Sequence, residues 1–492
     1  MFSSQPLESC RVGTDNRWPI GRQTGEGVLD GGDRFFRNVG AVDGLIELHA
    51  QLGEELGQIR APVHDRLCVR SRRGQEEEND QAEPHPVAPQ PFDRMALTPH
   101  ALFATIAGMR PWQIAELALL LVPGMLLLWR VRLCRERARR RRRFPPFGVI
   151  VPARNEASNL PLLLASLARQ SVKPAEVIVV DDGSTDATAK VAGGAGCRVV
   201  AAGRRPRGWV GKTWACWVGS RSADSELLLF LDADTRLESE GCARLLSEWA
   251  SRKGVVTAQP WHEAGSPVEK LSSLFNVIAL AAINTFTIFA GSLEPSGCFG
   301  PCILCSRADY ERIGGHRSVR ASVLEDIDLG RHFLAAGIPL HCFGGRGVVS
   351  FRMYPEGFAR LVEGWSKNMG RGAAGSHPLV LVCLLLWLTG LSSAAFFAAR
   401  WGLSGNAAAA IPAGLFYLLY AAELLWMLRK AGAFGPLSAL LYPLHLLLFF
   451  FVFHRSLVLT YILRSVTWKG RRITRPDRGG YRGRGKGGRP AG

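Results

Sequence analysis

The chain has 492 residues, which is enough for a complete catalytic domain with additional segments. Its hydrophobic share of 47% and its formal charge of +18 are unevenly distributed: residues 130–143 contain nine Arg and one Glu, and residues 469–492 contain nine Lys or Arg and one Asp. These basic runs adjoin apolar segments, which is typical of juxtamembrane anchors attracted to anionic lipid. A nucleic-acid-binding protein would instead spread basic residues over a folded face with aromatic residues between them. We therefore predict a lipid bilayer as a partner and no nucleic acid.

Residues 1–95 are rich in Gly, Pro and charged residues, and this composition cannot bury enough apolar surface to fold independently. We predict a disordered N-terminal extension with no part in function. The apolar core and cleavage pattern of a signal peptide are not recognisable in it. The sequence from Met95 onward is more typical of a protein N-terminus, so the residues before Met95 are a candidate for sequence outside the native protein.

Residues 112–130 predict a transmembrane helix, because the stretch is mostly Leu, Ala, Val and Ile with Trp112 and Trp129 near its ends. The arginine run follows directly, and positive charges stay on the cytoplasmic side of a membrane. The domain that comes next is therefore expected to face the cytoplasm. Glu116 and Pro123 support the alternative, a buried helix of a soluble domain.

Residues 146–376 predict an α/β catalytic domain. From residue 146 to about residue 260, short strands alternate with short helices, which predicts a parallel, Rossmann-like sheet covered by helices on both faces. Strands are predicted at residues 148–151, 177–180, 198–201, 227–231, 255–258 and 299–305. Helices are predicted at residues 156–170 and 185–192, and another follows Asp326 and runs to Ala336.

Two of these strands end in paired carboxylates. One apolar strand runs directly into Asp181 and Asp182, and another into Asp232 and Asp234, which Ala233 separates. Open α/β sheets bind ligands beside the carboxyl ends of their strands, so these acids are expected to surround one site. Mg²⁺ and Mn²⁺ prefer carboxylate and phosphate oxygens, so we predict that Asp232 and Asp234 bind a divalent metal with the phosphates of a sugar nucleotide. Asp181 and Asp182 can then hold the base and ribose; the alternative is that these acids only cap loops.

Lys212 lies in a stretch, Gly208-Trp209-Val210-Gly211-Lys212-Thr213, that partly matches a phosphate-binding loop. The full pattern needs Gly at position 206, where this chain has Pro206, so a Walker-type nucleotidase is disfavoured. Two interpretations of Lys212 remain open: it contacts a phosphate, or it caps the local turn.

Glu325 and Asp326 stand before a predicted helix and are the best candidates for a general base, which an acceptor hydroxyl or carboxyl needs as it attacks the anomeric carbon. The alternative is a pair of acids that complements the helix N-terminus. His316 is expected to be structural. Cys298 and its neighbours Cys302 and Cys305 are expected to be buried thiols and not a zinc site.

The C-terminal third is dominated by apolar segments. Residues 272–291 are expected to form a helix at the membrane surface or at the domain edge, and residues 355–369 an amphipathic helix. Residues 379–463 predict membrane segments at 379–399, 407–428 and 437–462. Three crossings would place the basic tail outside the cell, against the charge rule, and His454 and Arg455 interrupt the last segment; the number of spans stays open. Residues 469–492 predict a basic disordered tail.

Four motifs occur in a fixed order: Pro152-Ala153-Arg154-Asn155-Glu156, Asp181-Asp182-Gly183-Ser184-Thr185-Asp186, Asp232-Ala233-Asp234 and Glu325-Asp326. Over roughly residues 146–376 this set resembles the family 2 glycosyltransferases. The resemblance implies a GT-A fold, a sugar-nucleotide donor, a divalent metal and inversion at the anomeric carbon. It also implies a role for each motif residue: nucleotide contacts from Pro152, Arg154, Glu156 and Asp182, metal binding by Asp234 with Asp232 beside it, and general-base catalysis by Asp326.

A further set of stretches includes Gly208-Trp209-Val210-Gly211-Lys212-Thr213-Trp214-Ala215-Cys216, Gln259-Pro260-Trp261-His262, Phe299-Gly300-Pro301 and Trp468-Lys469-Gly470-Arg471. This set is similar to carotenoid-acid glucosyltransferases of the 4,4'-diaponeurosporenoate type. Hopanoid-associated glycosyltransferases share the Gly-Trp-x-Gly-Lys stretch and are the nearest alternative. Processive polysaccharide synthases carry Gln-x-x-Arg-Trp where this chain has Glu363-Gly364-Trp365-Ser366-Lys367, so a single transfer is expected.

We therefore predict a multi-pass enzyme of the cytoplasmic membrane, with its catalytic domain facing the cytoplasm. It is expected to move glucose from UDP-glucose, with Mg²⁺ or Mn²⁺, to the carboxylate of a membrane-dissolved isoprenoid, a carotenoid acid. The enzymatic alternative is transfer to a hopanoid or another lipid. The non-enzymatic alternative is a membrane-anchored sugar-nucleotide sensor, although the presence of all the motif acids favours an enzyme.

Overall fold

A computed structural model describes residues 109–134, 143–322, 324–373, 375–463, 465–468 and 471–474. The predicted disordered extension at residues 1–95 lies outside these ranges. The described residues form an α/β catalytic region followed by a C-terminal helical region.

Twelve strands are described. They are β1 (Phe147–Ala153), β2 (Glu176–Asp181), β3 (Arg198–Ala201), β4 (Leu227–Leu231), β5 (Thr235–Leu237), β6 (Val255–Gln259), β7 (Trp261–His262), β8 (Cys302–Ser306), β9 (Leu340–Gly344), β10 (Val349–Phe351), β11 (Ser465–Trp468) and β12 (Arg471–Thr474). A seven-stranded sheet has the order β3-β2-β1-β4-β8-β6-β9, and a small sheet has the order β5-β10-β7. The central strands β1 and β4 are almost wholly buried, which explains their continuous apolar sequence.

Fifteen α-helices are described. They are α1 (Pro111–Leu127), α2 (Leu160–Ala168), α3 (Thr188–Gly194), α4 (Gly211–Ser222), α5 (Gly241–Arg252), α6 (Pro267–Lys270), α7 (Ser273–Ala282), α8 (Arg307–Arg312), α9 (Gly315–Ser318), α10 (Glu325–Ala335), α11 (Phe358–Ala373), α12 (Pro378–Leu403), α13 (Ala407–Ala431), α14 (Gly435–Leu440) and α15 (Tyr442–Leu457). A π-helical turn, Val458–Ile462, continues α15.

The sheet is parallel at four of its six strand pairs, as predicted, but β8 runs antiparallel to both of its neighbours, β4 and β6. The chain leaves β6 through α6 and α7 and returns to the same end of the sheet at Phe299. There Phe299 N donates to Thr257 Oγ1 at 2.9 Å, and Thr257 Oγ1 donates to Phe299 O at 3.0 Å. From that position the next strand can only run back in the opposite direction.

Two helices begin later than the sequence predicted. α2 starts at Leu160 and not at residue 156, and α3 starts at Thr188 and not at residue 185. In both cases the preceding residues make hydrogen bonds within the loops at the ends of β1 and β2. Four leucines of α2 are nevertheless buried on one face, as the spacing predicted: Leu160, Leu163, Leu164 and Leu167.

Three C-terminal helices are long and apolar enough to cross a membrane: Pro378–Leu403, Ala407–Ala431 and Tyr442–Thr460. They correspond to the three predicted segments and indicate membrane association. α1 has 17 residues and is shorter than these three, so its role as a span stays a prediction. It packs beside α12 and α13, and Tyr420 Oη donates to Leu117 O at 2.8 Å. Within residues 272–291 only the ten residues of α7 are α-helical and most of them are buried, too few to span a bilayer.

Hydrogen bonds join the apolar helices and their flanking segments to the catalytic region, and two of these bonds lie at edge strands of the two sheets. Gly344, at the end of edge strand β9, donates its N–H to Arg132 O at 2.7 Å, just after α1. Ala433, just after α13, donates its N–H to His262 O at 2.8 Å. At the C-terminus, β11 and β12 pair antiparallel, so regular structure extends to Thr474, inside the segment predicted as a disordered tail.

Candidate active site

The loops that follow β1 and β2 are tied together by hydrogen bonds, and we call residues 152–157 and 181–188 the donor wall. Asn155 Oδ1 accepts from Thr185 N at 2.8 Å, and Asn155 N donates to Ser184 Oγ at 3.1 Å. Glu156 N donates to Thr188 Oγ1 at 2.8 Å. These bonds join two motifs that lie far apart in the sequence into one surface at the carboxyl edge of the sheet.

The predicted acids of the donor wall have different surroundings. Asp181 Oδ1 accepts from Ser184 N at 2.9 Å, which stabilises the turn, and Glu156 Oε2 accepts from Asn159 Nδ2 at 2.9 Å. Asp182 instead faces Arg154, with 4.0 Å between Asp182 Oδ2 and Arg154 Nη1. Asp182 therefore faces a cation of the neighbouring loop, whereas Asp181 and Glu156 accept hydrogen bonds from residues three positions further on; nucleotide contacts from these residues stay a prediction.

Asp182 lies where the donor wall meets the start of α4. Burial raises the pKa of Asp182 above its ordinary value, although the nearby cations Arg154 and Arg205 oppose this shift. A Cβ atom on Gly211 would lie 2.5 Å from Asp182 Oδ2, so only glycine lets α4 begin this close to the carboxylate. Arg205 is a neighbour of Asp182 that the sequence analysis missed; its place in an Arg-rich turn, residues 203–208, was the available signal.

Lys212, in the first turn of α4, is bound by carboxylates. Its Nζ lies 2.7 Å from Asp232 Oδ1, 2.9 Å from Asp232 Oδ2 and 3.6 Å from Glu325 Oε1. Burial disfavours the ammonium form, but Asp232, Glu325 and Asp326 outweigh it and raise the pKa of Lys212 well above its ordinary value. Lys212 is thus a fixed positive charge at the centre of the site, and its contact with a phosphate stays a prediction.

Glu325 and Asp326 lie in the first turn of α10 and not before it. Asp326 Oδ2 accepts from Gly300 N at 3.0 Å, and Asp326 Oδ1 accepts from Ile327 N at 3.0 Å. Burial, and the neighbouring carboxylate of Glu325, raise the pKa of Asp326 above its ordinary value. A carboxylate with a raised pKa is a stronger base than an ordinary Asp, which suits general-base chemistry near neutral pH.

One cavity brings many of the predicted residues together. It is lined by Pro152, Lys212, Cys216, Phe230, Leu231, Asp232, Gly300, Ile303, His316, Glu325 and Asp326. Arg154 and Asp182 stand in the donor wall that begins at Pro152, while Asp181 and Glu156 are engaged in their own turns. His316 is held as a structural residue: Tyr310 Oη lies 2.9 Å from His316 Nδ1, and burial, with Lys212, lowers the pKa of His316 to about 3.

The donor chemistry of the site suits a hard divalent metal when phosphates complete the coordination. Asp232 and Asp234 supply two carboxylates after β4, as such sites require. No group of three or more His, Cys, Asp or Glu with metal-binding geometry occurs among the described residues, so protein ligands alone would not form a cage. Asp232 is engaged with Lys212, and metal binding by Asp232 and Asp234 stays a prediction. Cys298, Cys302 and Cys305 are buried free thiols, as predicted.

A second lysine, from a distant part of the sequence, lies within electrostatic range of this site. The charged groups that act on Lys367, on α11, are Glu325, Lys212, Asp326 and Asp232. Residues 355–369 were predicted only as an amphipathic helix, so this proximity of Lys367 to the acids was not expected. The available signal was the stretch Glu363-Gly364-Trp365-Ser366-Lys367, which stands where processive polysaccharide synthases carry Gln-x-x-Arg-Trp.

Comparisons with known proteins agree with this geometry. The model of the family "Glycosyl transferase family 2" matches residues 148–314. The 4,4'-diaponeurosporenoate glycosyltransferase of Staphylococcus haemolyticus is 32% identical over 332 residues, covering 66% of this chain and 88% of that protein. The protein of the same name from Staphylococcus aureus strain USA300 is 34% identical over 330 residues, with the same coverage. The chain is a family 2 glycosyltransferase.

The family 2 glycosyltransferase has the GT-A fold that the motifs implied, with the catalytic sheet and motif loops followed by candidate membrane spans. Among solved structures, the mannosyltransferase PcManGT from Pyrobaculum calidifontis, in complex with GDP-Man and Mn²⁺, aligns with a TM-score of 0.41 at 19% identity. That alignment covers 70% of this chain and 99% of that one. Membership of this enzyme family removes the non-enzymatic sensor as an interpretation.

Proposed function

We propose that this family 2 glycosyltransferase moves glucose from UDP-glucose to the carboxylate of a membrane-dissolved carotenoid, with inversion, at the cytoplasmic membrane face. The product would be a glycosyl ester. The relatives at 32–34% identity are named for a carotenoid acid, which supports this acceptor class. The three apolar helices support a location at a membrane, where such an acceptor dissolves.

The observation that carries the proposal is the packing of α11 between α7 of the catalytic region and the last candidate span. Trp365 on α11 stacks on Phe275 with 5.0 Å between ring centroids and donates to Ser272 Oγ at 3.1 Å. Ser366 O accepts from Ser456 Oγ, in the candidate span Tyr442–Thr460, at 2.6 Å. One helix therefore joins the catalytic region to a candidate span, which suits an enzyme with a lipid acceptor.

Each predicted residue receives a role in this proposal. Pro152, Arg154 and Asp182 would hold the nucleotide, with Asp181 and Glu156 shaping their loops. A divalent metal held by Asp234 and Asp232 would supply positive charge beside the diphosphate that leaves. Lys212, already bound to Asp232 and Glu325, would add a second positive charge at the same place.

Asp326 would act as the general base. An isoprenoid acid in an apolar environment has a raised pKa, so it reaches the site partly protonated. Asp326 would take this proton, and the carboxylate oxygen would attack the anomeric carbon from the face opposite the leaving diphosphate, which gives inversion. The hydrogen bonds from Gly300 N and Ile327 N would hold the Asp326 carboxylate in place during this step.

The test is a transfer assay with the full chain in membranes, UDP-glucose labelled in the sugar, Mn²⁺ or Mg²⁺, and either a polyene monocarboxylic acid or a hopanoid alcohol. We expect label in the lipid fraction with the acid, complete release of the label by mild alkali, and loss of activity with EDTA. Mild alkali cleaves the ester bond of a glycosyl ester, whereas the glycosidic bond formed with an alcohol stays intact. Alkali-stable label, or transfer to the hopanoid alone, would contradict the carotenoid acid. The anomeric proton coupling of the product would test inversion.

A further inference from the structure

Helices α12 and α13 form a hairpin that leaves the catalytic region and comes back to it. They have 26 and 25 residues, so each is long enough, at about 1.5 Å per residue, for a hydrocarbon core of about 30 Å. α12 begins at the catalytic region, where His377 N donates to Asn284 Oδ1 at 3.2 Å. α13 returns to it, because Ala433 N donates to His262 O at 2.8 Å. Residue 433 therefore lies on the side of the bilayer that holds the catalytic region, which we call the catalytic side.

The segment after α13 first runs back along that helix. α14 packs against α13, and at the end of α14 the carbonyl of Leu440 accepts a hydrogen bond from Tyr417 Oη. The rings of Tyr417 and Tyr442 stack with 4.8 Å between their centroids. At 1.5 Å per residue, Tyr417 lies about 21 Å along the helix axis from Ala431, the last residue of α13. α15 therefore begins beside the middle of α13 and not at its far end.

α15 then runs along helices of the catalytic region. Near its start, His445 Nδ1 lies 2.6 Å from Ser273 Oγ of α7. Near its end, Ser456 Oγ donates to Ser366 O of α11 at 2.6 Å. Strand β11, which follows, also packs against α11. The chain is thus at the catalytic region both before and after residues 433–460.

These contacts decide how often residues 433–460 cross the bilayer. A segment whose two ends lie on one side crosses an even number of times. Among the described residues from 432 to 468, α15 with its π-helical turn is the one helix long enough for a crossing. A second crossing would have to use α14, which has six residues and a length of about 9 Å, too short for a core of about 30 Å. The segment therefore makes no crossing.

The face of α15 that points away from α7 and α11 is apolar. Leu444, Leu447 and Phe451 recur at helical spacing and are 53%, 70% and 58% exposed. An exposed apolar stripe beside two candidate spans fits the acyl chains of lipid. His454 and Arg455 follow in the last turn of α15, close to the catalytic region, where lipid headgroups accommodate charge.

From these contacts we infer that residues 433–460 form a re-entrant segment: it enters the leaflet on the catalytic side, binds the acyl chains of that leaflet through the stripe of α15, and leaves on the side from which it entered. The inference goes beyond the proposed function and depends on neither the donor nor the acceptor. The charge rule agrees with it, because nine Lys or Arg occur in residues 469–492 and this topology leaves that sequence on the same side as the basic residues 130–143.

The first test locates three points of the full chain relative to the bilayer. A cleavage site for a specific protease is inserted after Gly196, in an exposed turn of the catalytic region, after Gly405, between α12 and α13, or after Gly492. Protease is then added to sealed membrane vesicles of each orientation. We expect the sites after Gly196 and Gly492 to be cut in the same orientation, and the site after Gly405 only in the other. Cleavage of the Gly492 site together with the Gly405 site would show that the segment crosses, and would overturn the inference.

The second test asks which leaflet α15 contacts. A fluorescent amino acid replaces Leu447 or, as the matched control, Leu403, which is 89% exposed at the far end of α12. Nitroxide-labelled phosphatidylcholine is added to the outer leaflet of vesicles in which the catalytic region faces outward. We expect a strong loss of fluorescence at position 447 and little loss at position 403. Equal loss at the two positions, or none at position 447, would overturn the inference.

The two tests are independent of the proposed function. Neither measures transfer, so a chain that moves another sugar, or that glycosylates another lipid, leaves both expected results unchanged. Failure of the proposed function and failure of this inference are therefore distinguishable. Thermal unfolding followed by circular dichroism checks that each variant folds. If the variant at Leu447 does not fold, the protease test alone decides, since its insertions lie outside residues 433–460.

Discussion

The donor wall and the acceptor side of this enzyme are built by different means. In the donor wall, polar side chains hold two loops together through bonds of fixed direction, such as Asn155 Oδ1 to Thr185 N. On the proposed acceptor side, which consists of α7, α11 and the candidate span Tyr442–Thr460, aromatic rings pack on one another. Trp365 stacks on Phe275, whose ring centroid lies 5.5 Å from that of Phe449.

This difference concerns how each region fixes its ligand. Hydrogen bonds and ion pairs fix single atoms, so a small displacement at the cavity removes the geometry that the chemical step needs. Aromatic packing fixes a surface, and a lipid chain can shift along a surface without losing all of its contacts. We therefore expect substitutions at the cavity to lower kcat strongly and substitutions on the acceptor side to raise the acceptor KM modestly.

The largest effect is expected for Asp326→Asn. The amide cannot accept the acceptor's proton, and a general base contributes about 10²- to 10⁴-fold to the rate. UDP release and sugar transfer should both fall by that factor, with KM for UDP-glucose little changed. Asp224→Asn, at a side chain that is 91% exposed, is the matched control. Full activity of Asp326→Asn would remove Asp326 from the role of base.

Gly300→Ala tests how precisely the base must be placed. The added Cβ would lie 2.5 Å from Asp326 Oδ2, so the carboxylate must move away from its hydrogen-bond donor. We expect kcat to fall about 10- to 100-fold, as displacements of about 1 Å do. Gly194→Ala has open space around its Cβ and should retain full activity. Equal kcat values for the two variants would show that the cavity tolerates displacement as well as the acceptor side does.

The pH dependence of kcat should report the raised pKa of Asp326. Protonation removes the base, so activity is present above that pKa and is lost as the pH falls through it. The loss should therefore begin at a higher pH than an ordinary Asp, with a pKa of about 3.9, would give. A pH–rate profile at saturating substrates checks this, and a flat profile down to about pH 4 would contradict it.

The smallest effect is expected for Trp365→Phe. Phenylalanine keeps a ring that can stack on Phe275 but loses the hydrogen bond to Ser272 Oγ, which contributes about 1 kcal/mol. We expect KM for the acceptor to rise about two- to fivefold, with kcat nearly unchanged. Trp112→Phe, at an exposed position of α1, is the control. A large drop in kcat would show that Trp365 places catalytic atoms, and the contrast between the two regions would fail.

The parts of the site that the sequence predicted are those in which one local segment carries the whole signal. Asp181, Asp182, Asp232 and Asp234 each follow a buried apolar strand, so their position at the sheet edge follows from the strand alone. The sequence could not show that Asp181 and Asp182 have different partners. Asp181 accepts from Ser184 N in its own turn, whereas Asp182 faces Arg154, which belongs to another loop and comes close only after folding.

The features of the site and the fold that the sequence did not predict depend on contacts between distant segments. The ion pair between Lys212 and Asp232 joins the start of a helix to the end of a distant strand. No local pattern could therefore show whether Lys212 caps a turn or lies among the site carboxylates. The proximity of Lys367 to the site acids depends in the same way on the packing of α11 against α7, which a helical pattern alone does not show. The antiparallel direction of β8 was hidden for the same reason: the sequence shows an apolar strand but not the end at which the chain enters the sheet.

The reversal of β8 decides which backbone atoms are offered at the ligand-binding edge. A parallel strand ends at that edge, and in this enzyme such ends deliver carboxylates: Asp181 is the last residue of β2, and Asp232 directly follows β4. β8 begins there instead, so its approach through Gly300 presents an amide N–H, a partial positive charge, among these anions. Because β8 runs in the opposite direction, a backbone N–H lies among the carboxylates at this edge of the sheet. This hydrogen-bond donor needs no cationic side chain and does not titrate.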